Sequence, residues 1–167
     1  MNGTHIPISY SSIYYFYRAL LQGGEEARDY LSHRLMRDFG AMAASDSTTM
    51  WETNRGEADF DNAGSLCHGW SALPLYYFFA IKLGVRPLEP GFRVFEIAPA
   101  AFTGDSAHGE IPTPLGKIQI SLRRTADGVV IDAAGPSVLK PVFKPWNPED
   151  FSVCYWNSEL LLPADTK

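Results

Sequence analysis

A chain of 167 residues, 46% hydrophobic and 20% charged, has a globular composition that excludes intrinsic disorder and fits one domain or two small units sharing a core. A net charge of -5 and a pI near 5.3 lack the clustered cations that phosphates require, so no nucleic-acid partner is expected. Two cysteines, Cys67 and Cys154, exclude a disulfide scaffold.

No run approaches the roughly 20 apolar residues of a membrane span, so no membrane partner is expected. The opening MNGTHIPISY lacks the basic start and continuous apolar core of a signal peptide, and the compartment is left open. Asn2-Gly3-Thr4 is a glycosylation sequon that has meaning only in a secretory setting. The 13% of aromatic residues fits a large core and equally fits sugar recognition by stacking on flat apolar faces.

From Pro7 to Leu21, residues Ile13, Phe16, Tyr17, Leu20 and Leu21 repeat at helical spacing, and Gly23-Gly24 end the element. Glu25 and Glu26 suit the positive end of a second helix, in which Ala27, Tyr30, Leu31, Leu35 and Phe39 recur until Gly40. Residues 43–64 hold no sustained period and read as a long functional loop. A third helix is expected over 66–83, kinked at Pro74 and apolar on nearly all sides.

Beyond residue 90 the texture turns to short β-type runs: FRVFEIAP, GKIQISLRR, GVVIDAA, SVLKPVF and FSVCYW. Asp127-Gly128 signals a hairpin. The expected architecture is α+β, helices followed by an antiparallel β-sandwich over about 92–156. Three helices, one apolar all round, cannot cover one another, which implies that helical partners are missing.

The chemically capable residues gather in STTMWETNRGEADFDNAGSLCHGWSALP, Ser47 to Pro74. Glu52, beside Trp51, suits general acid or base work; the alternative is a surface carboxylate paired with Arg55. His68, at a helix start, suits a neutral imidazole donating to a ligand oxygen; the alternative is a bond to local backbone. Cys67 and His68 are no catalytic pair, because adjacent helical side chains diverge. Asp59, Asp61 and Asn62 echo a calcium loop, but Ala63 and Trp70 stand where ligands are needed. His5, His33, His68 and His108 have no paired zinc spacing, so neither metal nor cofactor is expected.

Taken together, Thr48 to Glu52, the Ser65-Leu66-Cys67-His68 turn, Pro90 to Pro99 and Gly116-Lys117-Ile118 follow one another in an order that resembles the C-terminal part of α-L-rhamnosidases, glycoside hydrolase family seventy-eight. The resemblance covers nearly the whole chain. It implies that residues 1–88 are the terminal helical hairpins of an (α/α)6 barrel continued upstream, and that residues 89–167 are the β-sandwich behind it. It further implies that Glu52 is the general base of an inverting reaction on terminal α-L-rhamnosyl groups, that His68 contacts rhamnose and that Trp51 walls the pocket. The general acid would lie upstream, leaving the isolated chain inactive. Thr53 and Cys67 depart from the family pattern and bear on aglycone preference. A non-catalytic carbohydrate-binding or scaffold protein is the alternative from another class, and a polysaccharide lyase acting on acidic sugars is a third.

Overall fold

The computed structural model describes residues 8–100, 102 and 104–163, so the sequon Asn2-Gly3-Thr4 and His5 lie outside the described residues. The chain divides into two compact units, 1–76 and 77–167. No helix is long and apolar enough to cross a membrane, among the described residues.

The first unit opens with a helical hairpin, α1 (Tyr10–Gln22) and α2 (Glu25–Ala43). Ser9 caps α1, its side chain accepting from Ser11 N–H at 3.3 Å, which is why the helix starts there. Tyr10, Ile13, Tyr17 and Leu21 form the buried stripe of α1, at steps of three and four. On α2 the stripe is Leu31, Leu35, Asp38, Phe39 and Met42. Helix α2 runs past Gly40 because burial of Met42 offsets the roughly 1 kcal/mol that an interior glycine costs. Tyr10 and Phe39 stack with ring centroids 4.5 Å apart.

The expected third helix is not continuous. A 3-10 turn at Gly69–Ala72 leads to a short helix, α3 (Pro74–Phe78), and then a π-helical turn at Phe79–Leu83. Pro74 does not kink an interior position; it occupies the first position of α3, where its missing N–H costs no hydrogen bond. Nor is the segment apolar and buried all round, since Leu75 and Tyr76 are exposed whereas Tyr77, Ala80, Ile81 and Leu83 are buried. Gly84 ends it in the left-handed conformation, φ 73°, its N–H returning to Phe79 O.

Among the described residues the second unit holds eight strands in two sheets: β1 (Val85–Pro87), β2 (Val94–Ile97), β3 (Ser106–Thr113), β4 (Gly116–Thr125), β5 (Gly128–Ala134), β6 (Lys140–Phe143), β7 (Phe151–Trp156) and β8 (Glu159–Leu161). The sheet orders are β1-β2-β6 and β3-β4-β5-β7-β8. One hydrophobic cluster joins them, with Phe95, Ile97, Ile118, Leu122, Ile131 and Trp156 among its members. Ile118, Ile120 and Leu122 alternate inward from β4, as their period of two requires.

The chain is α+β, helices followed by a β-sandwich, with two refinements. β2 pairs β6 in parallel and β5 pairs β7 in parallel. The chain crosses between sheets before each of those returns, so it re-enters in the same direction instead of turning back as a hairpin. Strand β3 is absent from the sequence expectation because Gly109, Pro112 and His108 break its apolar alternation; full pairing with β4, from Ser106↔Arg123 to Thr113↔Gly116, defines it instead. The hairpin at Asp127-Gly128 forms as expected, Thr125 facing Gly128.

Candidate active-site loop

Residues 44–68 carry the candidate side chains, and two short arms of this loop are zipped together. Glu52 N–H donates to Ser65 O at 2.8 Å, and His68 N–H donates to Met50 O at 2.8 Å. Thr49 Oγ1 donates to Leu66 O, fastening the same two arms by a side chain. The arm with Trp51 and Glu52 and the arm that ends at His68 are therefore held together although 15 residues of chain lie between Glu52 and His68. The Glu52 carbonyl also accepts from Tyr10 N–H at 2.9 Å, pinning the loop to the start of α1.

The intervening residues fold into a tight knot. Phe60, Asp61 and Asn62 are all left-handed, with φ between 53° and 66°, a conformation that Asp and Asn tolerate better than most. Gly64 has no room for a side chain: a Cβ there would sit 2.0 Å from Gly56 O. Asp59 is buried and pairs with Arg55 at 3.5 Å. Arg55 is thus engaged by Asp59, and the alternative reading of Glu52 as its ion-pair partner is not what the structure forms.

Glu52 is half-buried, with Oε2 accepting a long hydrogen bond from Ser65 N–H at 3.3 Å. Trp51 donates its indole N–H to Ser47 Oγ at 2.9 Å, and its ring lies over Gly56, where a Cβ would come within 3.2 Å of it. The ring is locked at both ends, by a hydrogen bond and by packing. His68 precedes the 3-10 turn at Gly69–Ala72 in extended conformation, and Ser71 N–H donates to its carbonyl at 3.0 Å. Its Nε2 is buried with no hydrogen-bond partner among the described residues. Ser71 Oγ, one turn on, is also buried and unbonded.

Buried polar atoms without partners are costly, about 1–3 kcal/mol each, and mark places where a ligand or water completes the bonding. Cys67 is exposed and lies in coil instead of helix, whereas Cys154 is buried in β7. No group of three or more His, Cys, Asp or Glu is arranged to hold a metal among the described residues.

A second polar cluster has no counterpart in the sequence reading. Asp38, 4% exposed, accepts from Tyr17 Oη at 2.7 Å, from Arg34 Nε and from Arg37 Nε at 3.2 Å, while its backbone carbonyl accepts from Tyr10 Oη at 3.0 Å. Burial, ahead of the Asp38 charge, pushes the phenols of Tyr10 and Tyr17 well above their usual range. The available signal was an acid on an otherwise apolar helical face, between Leu35 and Phe39.

Residues 84–137 match the family described as the bacterial alpha-L-rhamnosidase C-terminal domain. Over 113 residues the chain is 34% identical to an alpha-L-rhamnosidase of Alteromonas sp. (strain LOR), which is 64% of this chain and 12% of that protein. Among solved structures, a GH78 family rhamnosidase of Bacillus sp. GL1 matches 95% of this chain and 17% of its own, with a TM-score of 0.72 and 24% identity. The alpha-L-rhamnosidase of Streptomyces avermitilis, solved with L-rhamnose, matches 68% of this chain and 12% of its own, with a TM-score of 0.54 and 21% identity. The chain thus spans about an eighth of the curated relative. Family match and curated relative make the chain similar to the C-terminal part of α-L-rhamnosidases, and the solved structures share its fold.

Proposed function

We propose that this chain is the C-terminal part of an inverting α-L-rhamnosidase and that Glu52 is the general base for the hydrolytic water. In that reading residues 1–88 are the last helical hairpins of the catalytic barrel and residues 89–167 its β-sandwich. The substrate is a glycoside or polysaccharide with terminal α-L-rhamnosyl groups. His68 donates to a rhamnose hydroxyl, Trp51 forms part of the pocket wall, and no metal or cofactor takes part.

The supporting observation is the zipped loop: its two joined arms carry a half-buried, weakly bonded carboxylate and an imidazole whose Nε2 is buried with no partner among the described residues. Inversion needs a carboxylate that holds water and, about 6.5 to 9.5 Å away, an acid that protonates the leaving oxygen. Glu52 fits the first role, since its one side-chain bond, 3.3 Å long, leaves lone pairs for water. The acid comes from the barrel residues that precede this segment in a longer polypeptide, so the 167-residue chain alone is inactive.

The test is Glu52→Gln in the protein expressed from its complete gene, with kcat expected to fall roughly 100-fold or more. Near-normal turnover would sink the assignment. Proton NMR of the first product should show β-rhamnose; α-rhamnose appearing first would mean retention and a different role for Glu52.

A further inference from the structure

Beside the Glu52 loop lies a cleft of about 290 Å³ in the first unit, lined by Ile8, Tyr10, Ile13, Arg34, Arg37, Asp38 and Asn54. It borders the candidate site by direct connection: Tyr10 N–H holds the Glu52 carbonyl, and Asn54 follows Glu52 by two residues. Two guanidinium groups share one carboxylate here, since Arg34 Nε and Arg37 Nε both donate to Asp38. Among the described residues no second carboxylate pairs with them.

Each guanidinium carries five N–H donors, and Asp38 takes the Nε–H of each. A further Arg34 donor reaches Tyr30 Oη at 3.3 Å. Asp38 itself is buried and fixed by Tyr17, so it orients both forks while its single charge offsets one of theirs. Paired, preorganised arginine forks match the two or three oxygens of an oxyanion, and the Asn54 amide adds a donor of no charge.

We infer that this cleft is a subsite for an oxyanion carried by the part of the substrate beyond the rhamnose, either the carboxylate of a uronic acid or a sulfate ester. The inference rests on the rhamnosidase reading, and it makes the preferred substrate an acidic glycoside. Arg37, the more exposed of the two, supplies the contact, and Arg34 holds the floor with Asp38.

The protein expressed from its complete gene is assayed at low salt on rhamnosyl-glucuronic acid and on rhamnosyl-glucose. Arg37→Ala is expected to lower kcat/KM on the acidic disaccharide about tenfold or more beyond any loss on the neutral one, the loss falling in KM. Arg37→Lys should recover part of it, because an ammonium keeps the charge without the fork. Equal losses on the two substrates would overturn the inference while leaving the rhamnosidase reading intact.

If neither disaccharide is cleaved, the rhamnosidase reading fails, and calorimetry with glucuronate and with glucose 6-sulfate then decides the cleft separately. Binding that is lost in Arg37→Ala sustains it, and the tighter of the two probes names the source of the oxyanion. Absence of binding, or binding that survives the substitution, overturns it.

Discussion

At the scale of single residues, Asp38 and Cys154 show how burial sets chemistry. Asp38 sits on the apolar face of α2 because Tyr17, Arg34 and Arg37 meet its oxygens; hydrogen bonds to a charged group are worth about 1.5–3 kcal/mol each. Tyr17→Phe should therefore destabilise the protein by roughly 2 kcal/mol, read as a lower urea midpoint. An unchanged midpoint would mean that the arginines alone satisfy the carboxylate. Cys154 differs, because burial pushes its thiol up to about 12 from an ordinary 9.0. A folded-state value raised above the unfolded one leaves the stability contribution intact below pH 9, and that contribution is lost as pH climbs from 9 toward 12. In a thiol assay at pH 8 we expect one fast reaction, at exposed Cys67, and a second only after denaturation. Two fast thiols would show that β7 opens readily.

At the scale of elements, the residues that end segments matter more than those that fill them. Ser9 starts α1, Pro74 starts α3, and Gly84 stops the π turn by adopting φ 73°. A Cβ on Gly84 would lie 2.0 Å from the backbone nitrogen of Pro99. Gly84→Ala is expected to cost about 2 kcal/mol or more, strain and clash together, and equilibrium urea unfolding measures it. A cost below 0.5 kcal/mol, roughly that of a surface change, would show that the turn relaxes. The helical hairpin and strands β4 and β5 were legible because one face of each is buried, which imprints a period on the sequence. The third helix misled for the opposite reason: LYYFFAIKL is apolar apart from Lys82, and a nearly continuous apolar run carries no period to tell helix type or the buried face. Strand β3 was illegible because its pairing with β4, not its own side chains, defines it.

At the scale of the whole chain, the first unit leaves large apolar side chains in water, with Tyr15 74%, Trp70 73% and Leu75 67% exposed. Tyr15 and Trp70 share a groove of about 240 Å³ with Ser11, Tyr14 and Leu73. Such a surface suits a protein that continues into further helices. The 167-residue chain by itself should bind a hydrophobic dye and self-associate in sedimentation experiments. A dye-silent monomer would instead favour a free-standing scaffold or sugar-binding unit. The α+β order, the break at Gly23-Gly24 and the motifs that resemble those of α-L-rhamnosidases could be read before folding, because they depend on residues close together along the chain. Which residues share a site followed from the folded chain alone. The zipping of Met50 and Glu52 to Ser65 and His68, the capture of Arg55 by Asp59 and the convergence of two arginines on Asp38 all depend on which segments meet in space. Long-range pairing carries no period and no local propensity, so it leaves no mark on the sequence until the chain has folded.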